Sequence, residues 1–271
     1  MEADFSQLEM IGLAYISGDE VLKQDIMDGK DFHCINASFL YGQPYEYIKE
    51  MVDAGDEGWI KKRKKAKGPG FLIVYGGGAT TMAKNTGLPI EDCKNFIARY
   101  YERYIGVALW QETVKEEVES TRKPSTKRTE LGLPSGVGYY TSITGRRYVF
   151  QEYDAPEWMG SGSVSFSPTQ LKNYPIQGFS TGDLVPLAVG KLYRVLKNNP
   201  KKLPQDKIKL INTVHDSVLL DVHESVVEVT ADVVKKVMER TPKYFEDIYK
   251  VKFDLPLPVE VSYGRTWAET K

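Results

Sequence analysis

The chain has 271 residues, 41% of them hydrophobic, which is enough for one large domain or two small ones with a proper core. Lys and Arg number 36 against 37 Asp and Glu, so net charge predicts no nucleic-acid binding, and any basic surface must come from local clustering. Two cysteines, Cys34 and Cys93, are too few for a disulfide framework, the start MEADFSQLEM lacks the layout of a signal peptide, and no apolar run approaches the roughly 20 residues of a membrane span, so a reduced, cytoplasmic protein without a membrane segment is expected.

In chain order, helix and strand signals are mixed without the regular βαβ alternation of a parallel sheet. Residues 5–16 predict a strand running into a helix, and 45–67 a helix with a charged end. Over 90–120, Phe96, Ile97, Tyr100, Tyr101 and Tyr104 recur at helical spacing, predicting two helices parted near Gly106. Gly, Ser, Pro and Thr gather in 121–140 and 151–168, which read as loops. A helix over 179–197 should kink at Pro186. KIKLINTVHDSVLLDV, 207–222, reads as strand, tight polar turn and strand, followed by a helix near 224–240 and a last strand at 258–263.

Chemistry concentrates in three stretches. Residues 61–67, KKRKKAK, hold six cations in seven positions, and they lead through Gly68-Pro69-Gly70 into FLIVYGGG. Arg63, Lys67, Phe71 and Tyr75 are spaced by four, a step that advances about 40° past a full helical turn, so all four share one stripe. Cations followed by aromatics match a triphosphate beside a base and sugar. On this segment alone, a solvated basic helix end joined to a buried apolar turn is the plainer account. DFSQLE, 4–9, puts an acid at a strand end, and VHDSV, 214–218, puts Asp216 at a hairpin tip. Each aspartate alone reads as a turn or cap residue. Together they could converge, where mutual repulsion raises a pKa unless divalent cations sit between them, and oxygen ligands beside a phosphate-binding stripe suggest magnesium.

With these residues in view, the sequence resembles family A DNA polymerases, relatives of bacterial DNA polymerase I. DFSQLEMIGLAYISGDE looks like that family's motif A, RKKAKGPGFLIVYG its motif B and VHDS its motif C, while GKDFHCINASFLYG, YYERYIGV, TGRRY and NYPIQGFSTGDL follow the family order. The resemblance implies an α+β fold: a palm on an antiparallel sheet with an inserted helical fingers subdomain, and no thumb or exonuclease. It divides the chain into palm (1–16), fingers (17–150, motif B helix 61–76) and palm (151–271, motif C hairpin 207–222).

The implied activity is template-directed DNA synthesis by two-metal nucleotidyl transfer from a dNTP to a primer 3′-hydroxyl. Asp4, Asp216 and the Phe5 carbonyl would bind two Mg2+ ions, for which Mn2+ can substitute. Lys67 would join Asp4 and Asp216 as a catalytic residue, protonating pyrophosphate. Gln7, Glu9, His33, Arg63, Lys67, Phe71, Tyr75 and Gly76 would bind the nucleotide, with Glu9 as the steric gate against a 2′-hydroxyl. Asn173, Gln177 and His215 would meet primer-template DNA. A helix bent at Pro69 is expected to soften the nucleotide-binding helix.

Three departures stand out. Ser217 follows Asp216 where the family usually has Glu, Thr169 stands where an Arg is frequent, and motif A begins at residue 4. The last implies a second polypeptide carrying the thumb, with or without a 3′–5′ exonuclease, and an uncovered edge where the palm's first strand is missing. Two alternatives remain at this level: a single-subunit RNA polymerase-like enzyme, opposed by Glu9, and a noncatalytic DNA-binding fragment, opposed by intact Asp4, Lys67 and Asp216.

Overall fold

The computed structural model describes residues 1–156 and 162–270. β1 (Glu2–Phe5) leads into α1 (Leu8–Ser17). Helices α2 (Glu20–Met27), α3 (Phe32–Tyr41), α4 (Tyr45–Asp53), α5 (Glu57–Val74), α6 (Ala79–Thr86), α7 (Ile90–Arg103) and α8 (Ile105–Ser120) follow. Next come strands β2 (Lys123–Arg128), β3 (Pro134–Thr141), β4 (Arg147–Gln151), β5 (Tyr153–Asp154) and β6 (Val164–Ser165). α9 (Pro168–Phe179) continues through a π-helical turn, Ser180–Leu184, into α10 (Val185–Asn198). β7 (Ile208–Val214), β8 (Ser217–Val222), α11 (Val227–Glu239), α12 (Thr241–Tyr249) and β9 (Val259–Ser262) end the order. The chain forms two compact units: residues 1–15 with those from Ile176 onward, and residues 16–175.

The first unit is built on a four-stranded sheet of order β7-β8-β1-β9 in which every pair is antiparallel. Alternation in β1 sends Ala3 and Phe5 into the core and leaves Asp4 exposed on the opposite face. β9 pairs with β1 over Glu2–Phe5, so β1 is an inner strand and β7 and β9 are the outer ones. Beneath the core face, the Tyr15 ring stacks on Phe253 at 4.3 Å and on Phe179 at 5.3 Å, with Phe245 edge-on at 5.8 Å. α1 approaches the π-helical turn so closely that a Cβ on Gly12 would lie 2.1 Å from Ser180 Oγ. Pro186 follows directly on the π-helical turn Ser180–Leu184, so the departure from regular α-helix within 179–197 lies just before the proline.

The second unit is mainly helical, and its starts are written in aspartates. Asp19, Asp31 and Asp56 cap α2, α3 and α5 by accepting amides of the first turn. The single helix expected over 45–67 is two, parted by Gly55 at φ +82° and the Asp56 cap, and the second runs on to Val74. The two helices expected over 90–120 are present and part at Tyr104. Asp19 also accepts the Val107 amide at 3.3 Å, tying α2 to the start of α8. Asp25 is almost fully buried and takes Arg103, Lys30 and the Tyr104 hydroxyl at 2.7–3.0 Å.

The loop expected over 121–140 is instead β2 and most of β3, part of a three-stranded antiparallel sheet β2-β3-β4. The loop expected over 151–168 contains the short pair β5–β6, while residues 157–161 lie outside the described residues.

Pro69 does not interrupt α5, which is one continuous helix from Glu57 to Val74. Packing decides this against propensity. Pro69, Gly70, Ile73 and Val74 are buried, and a Cβ on Gly70 would lie 1.9 Å from the Asn36 amide nitrogen, so α3 holds the helix together where the missing hydrogen bond would open it.

Candidate active-site residues

The first unit brings two of the expected carboxylates together. Asp4 pairs with Ser217, so Asp216, the last residue of the β7–β8 turn, ends up beside the end of β1. The Phe5 amide donates to the Asp216 carbonyl at 3.3 Å and fixes that placement. The two carboxyls are within hydrogen-bonding reach, and Asp4 is pushed up to about 6 by desolvation, then by the Asp216 charge, with Glu2 and Glu260 adding smaller repulsions.

Glu260 stands directly opposite Asp4 on β9. Its place between Val259 and Val261, buried and half-buried, is the sequence signal for an outward carboxylate, and motif comparison overlooks it. Glu2 shares the face and accepts from Thr270 Oγ1 at 2.8 Å and Trp267 Nε1 at 3.1 Å. Among the described residues, no group of three or more His, Cys, Asp and Glu side chains is gathered as a metal cage.

Two non-glycine residues with left-handed backbone flank the carboxylates: Gln7 at φ 57° and His215 at φ 55°. An L-residue in this conformation gives up roughly 1 kcal/mol or more. The Gln7 carbonyl accepts the Met10 and Ile11 amides, opening α1, whose first turn carries Glu9. Gln177 belongs to this unit, and its carbonyl accepts from Thr181 Oγ1 at 2.7 Å.

The second unit gathers the nucleotide-binding candidates on α3 and α5. Arg63 Nε donates to Asp31 Oδ2 at 2.8 Å. Asp31 simultaneously caps α3 through the His33 and Cys34 amides, and although burial opposes its ionisation, these donors and Arg63 hold its carboxyl below the usual range. Asp31 is a partner that sequence reading misses, since it lies 32 positions from Arg63; DFH at 31–33 marks only a helix start.

Lys67 Nζ lies 5.6 Å from the Phe71 ring centroid, and the His33 ring 6.4 Å from it. Burial, then the positive charges of Arg63 and Lys67, lower the His33 pKa, so the ring is neutral at pH 7. Its Nδ1 is buried with no hydrogen-bond partner among the described residues. Phe71 is exposed.

Tyr75 ends α5, and Gly76 follows at φ +75°. The Gly76 carbonyl accepts from Thr169 Oγ1 at 3.5 Å, and a Cβ on Gly76 would lie 3.1 Å from Thr169 Cα. Thr169, where the family pattern frequently has Arg, thus packs against the end of α5. Asn173 is buried in the same unit.

Chemically, the first unit offers a crowded pair of oxygen donors, and the second a cationic and aromatic stripe beside a neutral imidazole. The mixed helix-and-sheet fold matches that of a solved polymerase domain, the POL domain of Pol1 from M. smegmatis in complex with DNA primer-template and dNTP, with a TM-score of 0.66 and 22% identity over 99% of this chain and 40% of that one. The profile of DNA polymerase family A matches residues 1–269, and the chain belongs to that family.

Among curated relatives, DNA polymerase I of Lactococcus lactis subsp. cremoris (strain MG1363) is 28% identical over 271 residues, all of this chain and 26% of the relative. The thermostable DNA polymerase I of Thermus filiformis is 30% identical over 272 residues, all of this chain and 27% of the relative. The chain therefore spans about a quarter of the length of these relatives. No helix among the described residues is long and apolar enough to cross a membrane.

Proposed function

We propose that this chain is the nucleotidyl-transfer region of a DNA-directed DNA polymerase, extending a primer 3′-hydroxyl with dNTPs as a template directs. The adjacency of Asp4 and Asp216 at neighbouring strand ends carries the reading. The first unit then holds most of the palm, read as 1–16 and 151–271, and residues 17–150 of the second supply the fingers.

The residues fit divalent magnesium. Two carboxylates and the Phe5 carbonyl are oxygen donors, and the Asp4 pKa, raised first by burial and then by the Asp216 charge, marks an unfavourable anion that a dication relieves. When bound, two Mg2+ ions, or Mn2+ in their place, would lower the pKa of the 3′-hydroxyl and stabilise charge on the transferring phosphoryl group.

The chain's own residues do the rest. Arg63, its fork oriented by Asp31, and Lys67 hold the anionic oxygens of the triphosphate, and neutral His33 donates a hydrogen bond to the outer phosphates. The 3′-hydroxyl loses its proton to water as its oxygen attacks the α-phosphorus, the bond to pyrophosphate breaks, and Lys67 gives its proton to the departing oxygen. Phe71, Tyr75 and Gly76 form the wall against the nucleotide. Glu9, supported by Gln7 at the head of α1, fills the space a 2′-hydroxyl would need. Asn173, Gln177 and His215 are assigned to primer-template DNA, where contacts to acceptors common to all base pairs test geometry without reading sequence.

Single-turnover extension of a labelled primer-template by excess purified chain tests this. Wild type should add deoxynucleotides slowly, Lys67→Ala should lose about 100-fold or more in rate, and Asp216→Asn should show no product. Extension by Asp216→Asn at the wild-type rate, or equal use of ribonucleotides, would overturn it.

A further inference from the structure

α9 does not run smoothly into α10, because the π-helical turn Ser180–Leu184 lies between them. A π turn holds one more residue than an α turn, and such turns gather at functional sites. The proposed chemistry makes no use of this one. Within the same compact unit, however, it packs against α1, which carries Glu9 in its first turn.

Two contacts join the turn to α1. The Phe179 ring, at the end of α9, stacks on Tyr15 of α1 at 5.3 Å. Ser180 stands where Gly12 has no side chain: a Cβ there would lie 2.1 Å from Ser180 Oγ, so α1 comes nearer to the turn than a residue with a Cβ at position 12 allows. The Ser180 hydroxyl then donates to the Leu8 carbonyl at 3.4 Å, a long contact to the residue next to Glu9. Thr181, the other hydroxyl of the turn, bonds locally to the Gln177 carbonyl at 2.7 Å, the common arrangement for a helical threonine.

Ser180 is fully buried, as are Leu8 and Phe179 beside it. Alanine would fill the same notch with no hydroxyl to strip of water, and burying a hydroxyl is unfavourable unless its partner compensates. At 3.4 Å the Leu8 carbonyl compensates only in part. A polar side chain kept where an apolar one packs as well points to a task other than stability.

We propose that Ser180 is a positioning residue for sugar selection. Its hydroxyl and the bare Gly12 together fix the depth and rotation of the head of α1 against the π turn, and so fix where Glu9 stands in the space a 2′-hydroxyl would take. Glu9 follows Leu8 by one residue, about 100° round the helix, so a roll of α1 on this seat swings the carboxylate sideways through that space. The inference rests on the polymerase reading, in which Glu9 excludes ribonucleotides.

Single-nucleotide incorporation opposite a template dG, with dCTP and with CTP, gives the ratio of kcat/KM for the two sugars. It is measured for wild type, Ser180→Ala, Glu9→Ala and the Ser180→Ala/Glu9→Ala pair. Ser180→Ala should lose about tenfold in discrimination, the scale of one hydrogen bond, through faster use of CTP, with dCTP used within about twofold of the wild-type rate. Glu9→Ala should lose more, and adding Ser180→Ala to it should change the ratio no further, because the serine acts through the gate. The melting temperature of Ser180→Ala should stay within about 3 °C of wild type.

An unchanged ratio in Ser180→Ala, an equal loss for both nucleotides, a further loss in the pair, or selectivity lost only together with the fold would overturn the proposal. Discrimination by wild type, and its loss in Glu9→Ala, test the polymerase reading by themselves. A selective wild type with an insensitive Ser180→Ala therefore removes this proposal alone, and a wild type that does not discriminate removes both.

Discussion

Gly70 and Asn36 occupy nearly the same space: a Cβ on the glycine would sit 1.9 Å from the asparagine amide nitrogen. This contact between α5 and α3 sets the position of the stripe that carries Arg63, Lys67 and Phe71. Gly70→Ala should cost about 1–3 kcal/mol through overpacking, read as a lowered melting temperature. Adding Asn36→Ala should recover part of the loss, and a double variant no more stable than the single would argue against this contact as the cause.

Asp4→Asn and Asp216→Asn should each abolish primer extension without weakening the fold. Asp4 is held near its neighbours at an unfavourable charge, so neutralising it removes a repulsion, and the variant should melt at or above wild type at pH 8. Paired loss of activity and of stability would point to a structural role instead. Glu260→Gln, acting on the same repulsion from β9, should retain extension.

At the β7–β8 turn, His215 holds a backbone conformation that glycine adopts freely. His215→Gly should raise stability by about 0.5–1 kcal/mol in a denaturant titration, while weakening use of primer-template. A destabilised His215→Gly would remove the argument that the strained turn is retained for function.

Asp25 supplies a pH test independent of the candidate site. Burial disfavours its charge, but hydrogen bonds from Arg103, Lys30 and Tyr104 outweigh that and lower its pKa. A depressed carboxylate pKa stabilises the fold above the unfolded value of about 3.9, and that contribution disappears as pH falls through the folded-state value. Asp25→Ala should therefore cost roughly 2–4 kcal/mol at pH 7, toward the lower end because Arg103 reaches solvent, and the gap to wild type should narrow below about pH 4. A gap constant from pH 7 to pH 3 would exclude the ionised pair as its source.

The sequence was most legible where chemistry is local. Strand, turn and strand over 207–222 follow from alternation around a polar pair, and the Arg63–Phe71 stripe follows from helical spacing. Residues whose roles arise from packing were not legible. KPSTKR lacks the β-branched apolar alternation of a strand, yet β3 pairs with it as β2. Pro69 carries a breaker's propensity, yet α3 keeps α5 whole. Asp31 and Glu260 enter the sites by tertiary pairing with Arg63 and Asp4, over 32 and 256 positions of chain, a separation that no motif encodes.

The pairing of Glu2 with Ser262 also governs how the protein is born. β1 can acquire its β9 neighbour only after the segment between Phe5 and Val259 has left the ribosome, on the order of 10–50 s after its own synthesis at about 5–20 residues per second. The continuous helical unit can close during that interval. Until β8 and β9 emerge, the nascent strand bearing Asp4 has neither of its native partners, and the two carboxylates first share a neighbourhood only once β8 has been made.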